Sequence, residues 1–281
     1  MSYRRKKIKS KIHKIKPKKN ILRCLWFWLT LLFTIIFIIL FYFLFFYQGF
    51  QVENILISGN QKVSNQELEN VITKNSTIKL ISLGAIEVST RSIFLINIKH
   101  INEEVIKEFP IIEKLQIKKK FPKTLILEVI ERDPVGIYCS NNNECFLIDK
   151  NGVIFEPLTI NFDNLFIIKK ATIDENTYIG NNIFPKNIIE IILKIQSVLK
   201  EKFQINIKEA LLVSPIRLDI KTNENWKIFL NIENDSDINL QVAKLILLLS
   251  NEIDNKRSNL HYIDLRYKDR AIICDNDICK K

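Results

Sequence analysis

The chain has little of what makes a protein flexible. Its 281 residues include only six glycines and seven prolines, so no long flexible linker is expected between its parts. Histidine is scarcer still. His13, His100 and His261 stand apart from one another, which leaves little for acid–base chemistry near neutral pH; the latter two read as surface or interface residues. Charge is missing altogether from Cys24 to Val52, and acid is missing from the first 23 residues. A small-residue cleavage site is missing too: the uncharged run leads into Phe45-Phe46-Tyr47-Gln48-Gly49-Phe50. With an apolar stretch well beyond the roughly 7–15 residues of a secretory leader, an uncleaved anchor is expected in place of a cleaved signal peptide.

What stands in those places is an anchor. Cys24 to Tyr47 is 24 residues long. As a helix at about 1.5 Å per residue it would extend about 36 Å, enough to cross a hydrocarbon core of about 30 Å. Trp26 and Trp28 lie near one end, Tyr42 and Tyr47 near the other, where amphipathic rings favour the headgroup level. Eleven basic residues precede it: Arg4, Arg5, Lys6, Lys7, Lys9, Lys11, Lys14, Lys16, Lys18, Lys19 and Arg23. They equal the whole net charge of +11, so residues 24–281 are balanced, 31 basic against 31 acidic. The excess is therefore an arm that lies against anionic lipid, not a nucleic-acid-binding domain face. A short positive flank stays in the cytoplasm, which places the residues after Tyr47 outside.

The expected fold class is α+β. Residues 1–23 form the tail and 24–48 the single transmembrane helix. A strand–helix–helix–strand–strand unit follows over 50–131, then a β-rich unit with two helices over 132–274 and a short tail at 275–281. In the first unit, Gln51–Ile57 reads as a strand closed by Ser58-Gly59-Asn60. Ser64 and Glu67 have capping-box spacing ahead of an apolar stripe at Leu68, Val71 and Ile72. Ile98, Ile101, Val105 and Phe109 mark a second helix that Pro110 ends. Ile112–Lys119 and Thr124–Glu131 alternate as strands, and residues 74–91 do not resolve into one element and read as a loop of unknown conformation. In the second unit, Val135–Cys139 and Cys145–Asp149 are hairpin arms. Lys150-Asn151-Gly152-Val153 predicts a type I′ turn with both central residues at positive φ. Strands are expected around 216–220 and 226–230, and helices over 186–203 and from Asp237 to about Ile253. A final strand pair is expected near Tyr262–Tyr267 and Arg270–Cys274.

Catalytic strings are present but misplaced. Ser76-x-x-Lys79, Ser140-Asn-Asn142 and Lys221-Thr-Asn223 imitate the order of a penicillin-binding enzyme. Ser76 does not open a buried helix, however, and Lys221-Thr-Asn223 lacks the glycine that lets substrate approach a strand. Glu233-Asn-Asp235-Ser-Asp237 reads as a turn and helix cap, not a calcium loop. No catalytic residue, cofactor or metal is expected. The four cysteines beyond the membrane, Cys139, Cys145, Cys274 and Cys279, allow three pairings. Local pairs are the simplest, since Cys139 and Cys145 would face each other across a hairpin. Zinc more usually takes C-x2-C spacing, and free buried thiols are the third reading.

Several strings in order resemble the FtsQ/DivIB cell-division family. Ile57-Ser-Gly-Asn60 with Val63-Ser64 resembles the opening of its POTRA domain. Phe109-Pro110-Ile-Ile112, Ile117-Lys-Lys-Lys-Phe-Pro122 and Glu131-Arg-Asp-Pro-Val135 are similar to its closing half and exit. Leu147-Ile-Asp-Lys-Asn-Gly-Val-Ile-Phe155 resembles the first hairpin of the β domain, and Asp264-Leu-Arg-Tyr267 its C-terminal signature. The resemblance implies a POTRA-like domain over 50–131 and an FtsQ-like β domain over 132–274. It also implies a non-enzymatic divisome scaffold of the inner membrane, concentrated at the septum, that recruits FtsB/FtsL-type partners. It puts the partner site at the C-terminal end of the β domain, which maps to Arg266, Tyr267, Arg270, Ala271, Ile272 and Ile273. The last strand is expected at a sheet edge, where a partner can add a strand. An exterior wall-modifying enzyme is the alternative. A POTRA-bearing assembly factor would need a C-terminal barrel, which about 140 residues broken by two helices do not make.

Overall fold

In the computed structural model, residues 25–83, 86–140, 144–159, 165–171 and 177–275 are described; the basic tail, Cys24 and Cys279 lie outside them. The chain begins with α1 (Leu25–Phe46), β1 (Asn54–Ser58), α2 (Asn65–Ser76), β2 (Ile78–Leu83), β3 (Ile86–Thr90), α3 (Ile98–Glu108), β4 (Ile112–Lys120) and β5 (Thr124–Glu131). It divides into two compact units, one of Met1–Asn54, Thr77–Ile96 and Lys120–Thr124, the other of Ile55–Ser76, Asn97–Lys119 and Leu125–Lys281.

In the smaller unit α1 is apolar on every side and buries none of its residues, as a helix solvated by lipid must. Thr30 and Thr34 donate their hydroxyls back to the carbonyls of Phe27 and Leu31, at 2.9 and 2.7 Å, so neither leaves a polar group unmet. Residues 74–91, expected as a loop, hold the antiparallel pair β2–β3 with Ile78 opposite Thr90. The reason is tertiary. Thr90 and Ser92 are buried and donate hydroxyls to the carbonyls of Phe45 and Leu44, at 2.6 and 2.9 Å. The Gln51 amide reaches the same Phe45 carbonyl at 2.8 Å. The last turn of α1 is thus capped by side chains from a hairpin some 45 residues away, which periodicity cannot reveal.

The larger unit starts with a sheet ordered β1-β5-β4 and helices α2 and α3 packed on each other. Leu68, Val71 and Ile72 of α2 and Ile101 and Val105 of α3 are buried. Asn97 caps α3 by accepting from the Lys99 and His100 N–H groups at 3.1 and 3.3 Å. Gly59 has φ +89°, and a Cβ there would lie 2.2 Å from the Val129 carbonyl oxygen; only glycine fits that turn. Beside it, the Glu131 carboxylate accepts the N–H groups of Gln61, Lys62 and Val63 at 2.9–3.1 Å.

Beyond Arg132 come β6 (Gly136–Cys139), β7 (Cys145–Ile148), β8 (Ile154–Pro157), β9 (Phe166–Lys170), α4 (Lys186–Phe203), β10 (Ile207–Ser214), β11 (Arg217–Thr222), β12 (Lys227–Asn231), α5 (Ile238–Leu247), β13 (Leu260–Asp264) and β14 (Ile272–Asp275). Nine strands form one sheet in the order β14-β13-β12-β11-β10-β9-β6-β7-β8. Its helices do more than interrupt the strands. α4 joins the parallel neighbours β9 and β10, and α5 joins the parallel neighbours β12 and β13, because parallel strands need a crossover. Ile188, Ile189, Ile192, Ile195 and Leu199 of α4 and Val242 and Leu245 of α5 pack into one core with Ile168, Leu218, Ile228, Ile263 and Trp226. Cys139 and Cys145 are disulfide-bonded across β6 and β7, Cα atoms 4.1 Å apart. Cys274 is disulfide-bonded as well.

The turn after β7 differs from the expected type I′. Only Gly152 has positive φ, +82°. The Asp149 carboxylate organises the loop instead, accepting the N–H groups of Asn151 and Val153 at 2.9 Å each. Its other oxygen takes the Arg132 guanidinium. The two side chains are 2% and 11% exposed. Arg132 Nε donates to the Pro110 carbonyl at 2.9 Å, and its backbone N–H to the Ile111 carbonyl at 2.8 Å. One buried pair therefore ties the end of α3, the exit of β5 and the first hairpin of the large sheet.

Breaking that pair from one side leaves an uncompensated buried charge. Asp149→Ala and Arg132→Ala are each expected to destabilise the protein by about 3–5 kcal/mol. Denaturant unfolding of the detergent-solubilised full chain, followed by the fluorescence of fully buried Trp226, measures this; a loss under about 1 kcal/mol would remove the pair from that role.

Candidate partner-binding surface

The six residues singled out at the C-terminal end sit together at one edge of the large sheet. β14 pairs with β13 on one side, with Ile263 opposite Ile273 and Asp264 opposite Ile272; on its other side it has no strand neighbour among the described residues. The strands are shorter than expected. β13 stops at Asp264 and β14 starts at Ile272, so Arg266, Tyr267, Arg270 and Ala271 lie in the connecting turn and only Ile272 and Ile273 in the edge strand.

Two side chains account for the early end of β13. Asp264 is buried, and its carboxylate takes a two-pronged bond from Arg266, Nε at 2.9 Å and Nη2 at 2.6 Å. It also accepts the Arg266 N–H at 3.1 Å, which bends the backbone out of the ladder. Lys244, on α5, then donates its ammonium to the carbonyls of Tyr267 and Lys268. Those carbonyls are turned toward a helix side chain, away from the strand ladder. Tyr267 is held outward, 41% exposed, with the Arg270 guanidinium 5.2 Å from its ring centre. Ile272 is exposed and Ala271 half-buried.

Alongside the turn runs a groove of about 410 Å³. Its acidic side carries Glu233, Asp235 and Asp237, and its basic side Lys244, Arg266 and Lys268. Asp237 caps α5 through the Leu240 N–H at 3.0 Å, so that acidic cluster serves a turn and a helix start. On the neighbouring sheet face Phe229 is covered by Arg217 and Arg266, 5.0 and 5.7 Å from its ring centre. Lys244 and Phe229 were not picked out from sequence, and Asp264 only as part of the C-terminal signature string. The Asp264 and Arg266 spacing carried a signal, since residues two apart in extended chain share a face; Lys244 carried none, because its partners are carbonyls. Burial pulls the Asp264 carboxyl upward, but the Arg266 side chain, its N–H and nearby Arg217 prevail and hold it below the usual carboxylate range. The Asp264 bond in turn raises Arg266.

Other residues weighed for chemistry are scattered. Ser76 ends α2, buried, with its hydroxyl lacking a hydrogen-bond partner; it opens no helix. Lys221 lies in β11, and Asn142 is outside the described residues. His100 and His261 are exposed. Among the described residues no three His, Cys, Asp or Glu gather as a metal group.

The family model described as cell division protein FtsQ/DivIB, C-terminal, matches residues 137–266. Among curated proteins, FtsQ of Rickettsia prowazekii is 28% identical over 104 residues, 37% of this chain and 33% of the relative. FtsQ of Agrobacterium fabrum is 29% identical over 113 residues, 40% and 31% of the two chains. DivIB of Clostridium tetani is 25% identical over 220 residues, 76% of this chain and 78% of the relative. The match thus spans about a third of the FtsQ relatives and about three quarters of the DivIB one. Tyr267 and Arg270–Ile273 fall just beyond the family match.

Asp264 generates a pH prediction. Its carboxyl is lower when folded than unfolded, so its stabilisation is complete above the ordinary carboxylate range of about 4 and is lost as pH falls through the lowered value. Glu131, for which burial acts upward but three backbone N–H groups and Lys62 win, is lowered too and adds in the same sense. Asp264→Asn and Glu131→Gln should therefore be less stable than the parent at pH 7 and lose less on acidification. Unfolding curves from pH 7 to about 3 decide it, and an unchanged acid limb would be contrary.

Proposed function

Residues 137–266 match the C-terminal model of the FtsQ/DivIB cell-division family, and on that premise we propose that the chain is a non-enzymatic scaffold of the bacterial division machinery. It sits in the inner membrane through α1, with its basic tail in the cytoplasm and its larger unit in the periplasm at the septum. There it recruits FtsB/FtsL-type single-pass partners, and through them other divisome components, to control when septal peptidoglycan is made. The edge position of β14, with no second strand neighbour among the described residues, beside outward-held Tyr267 is the observation that carries this reading. A segment of the partner adds a strand to β14 by backbone pairing, while Tyr267 supplies an aromatic anchor. Arg266, Arg270, Ala271, Ile272 and Ile273 frame it. The wall-enzyme alternative finds no support in a buried Ser76 at a helix end.

Two variants separate strand addition from the anchor. Ala271→Pro removes an N–H at the entrance to β14 and should abolish partner binding while leaving circular dichroism unchanged. Tyr267→Ala should weaken binding by roughly 2 kcal/mol or more, about thirtyfold in Kd. Wild-type affinity for an FtsB-like partner in both folded variants would move the site elsewhere. Topology has its own test. A reporter active only outside the cytoplasm should work after Lys281 and stay silent before Arg4, and replacing the tail lysines and arginines with glutamine should weaken that bias. Equal activity at both ends would contradict the orientation.

A further inference from the structure

The end of α1 does not release into a free linker. Its last carbonyls are capped by Thr90, Ser92 and Gln51, and the Phe50 carbonyl accepts the Ile93 N–H at 2.9 Å. From this collar a run of aromatic rings leads outward. Phe43 meets Phe50 at 5.7 Å, Phe50 meets Phe94 at 5.2 Å, and Phe94 meets Phe121 at 5.4 Å between ring centres. Such a stack would ordinarily be buried. Here Phe94 is 42% and Phe121 58% exposed, a continuous apolar surface that begins on α1 itself. Exposed aromatic patches of this kind mark a contact that the isolated chain lacks.

The position of the patch says what covers it. From Trp26 to Phe46 the helical rise is about 30 Å, matching the hydrocarbon thickness of about 30 Å. Phe50 and the rings stacked on it therefore fall at the next level out, where headgroups begin. Exposed Arg91 and Lys120 flank the patch, as cations flank apolar residues on surfaces that meet anionic lipid. Glu53, the nearby acid, is paired with Lys123. A protein partner would not explain why the stack is continuous with the lipid-facing side of α1.

We propose that Phe94 and Phe121 are a membrane seat: their rings enter the headgroup layer of the outer leaflet, with Arg91 and Lys120 on lipid phosphates, and fix the collar at the bilayer surface. The proposal rests on α1 being a membrane span. In full-length protein with Trp26 and Trp28 replaced by phenylalanine, buried Trp226 serves as the internal reference. Phe121→Trp and, separately, Phe37→Trp in mid-α1 are placed in nanodiscs of mixed zwitterionic and anionic lipid, brominated either near the glycerol or at the chain ends. Emission from Phe121→Trp should be lost most with the shallow label, that from Phe37→Trp with the deep one, and the reference with neither. Arg91→Gln with Lys120→Gln should reduce the shallow loss in anionic discs more than in zwitterionic ones. Quenching at 37 without quenching at 121 would overturn the seat and leave the span standing. Quenching at neither would overturn both.

Discussion

The larger unit depends on one charge pair. Arg132 and Asp149 are nearly out of water, where an unmatched charge costs several kcal/mol, so each holds the other where it can be satisfied. Arg132 is the first residue after β5, and its remaining bonds go to Pro110 and Ile111. Asp149 spends its second oxygen on the turn between β7 and β8. Glu113 adds to the same joint, pairing with Lys150 and accepting from the Asn151 amide at 3.1 and 3.2 Å. The outcome is a joint with no slack. Only residues 132–135 separate the last strand of the three-stranded sheet from the first of the nine-stranded one, and a chain so poor in glycine needs side chains to set that passage.

The same economy governs the far end of the sheet. Cross-strand pairing runs from β8 to β14, and at the last step the backbone is stopped by side chains: Asp264 with Arg266, then Lys244 with two carbonyls. Had the ladder continued through residues 265–271, Tyr267 would have faced a neighbouring strand. Instead it is displayed on a short turn whose backbone is pinned to α5. Under the proposed function, a side chain displayed on so fixed a turn would lose little conformational entropy on binding. An exposed strand edge is a liability that proteins usually cover or blunt; charged Arg270 and Asp275 flank β14, which has no second strand neighbour among the described residues.

Much of this was legible in the amino-acid order, and the parts that were not share a cause. α1 is legible because lipid demands an unbroken apolar run, and α3 and α4 because their apolar residues recur on one face after a recognisable stop or start. The hairpin β6–β7 is legible from alternation, and the family resemblance from strings such as Glu131-Arg-Asp-Pro-Val135 and Leu147–Phe155. What joins those two strings, Arg132 on Asp149, is invisible in either alone. β2 and β3 were not resolved because Thr90 and Ser92 follow no periodicity of their own; they are placed by the carbonyls of α1. The parallel pairs β9–β10 and β12–β13 leave no local turn signal, so their helices read as interruptions. The turn at 150–153 was misjudged because Asp149, a side chain outside the central pair, decides its geometry.

The account turns on whether the side of β14 without a strand neighbour among the described residues is where another chain docks. Hydrogen–deuterium exchange of the full-length protein in lipid nanodiscs, alone and with an FtsB-like partner, addresses it at the backbone. Strand addition predicts slowed exchange across Ile272–Asp275 together with residues 265–271, and unchanged exchange in β6–β8 at the opposite end of the sheet. Protection confined to β8, to α2 and α3, or absent altogether would contradict the account.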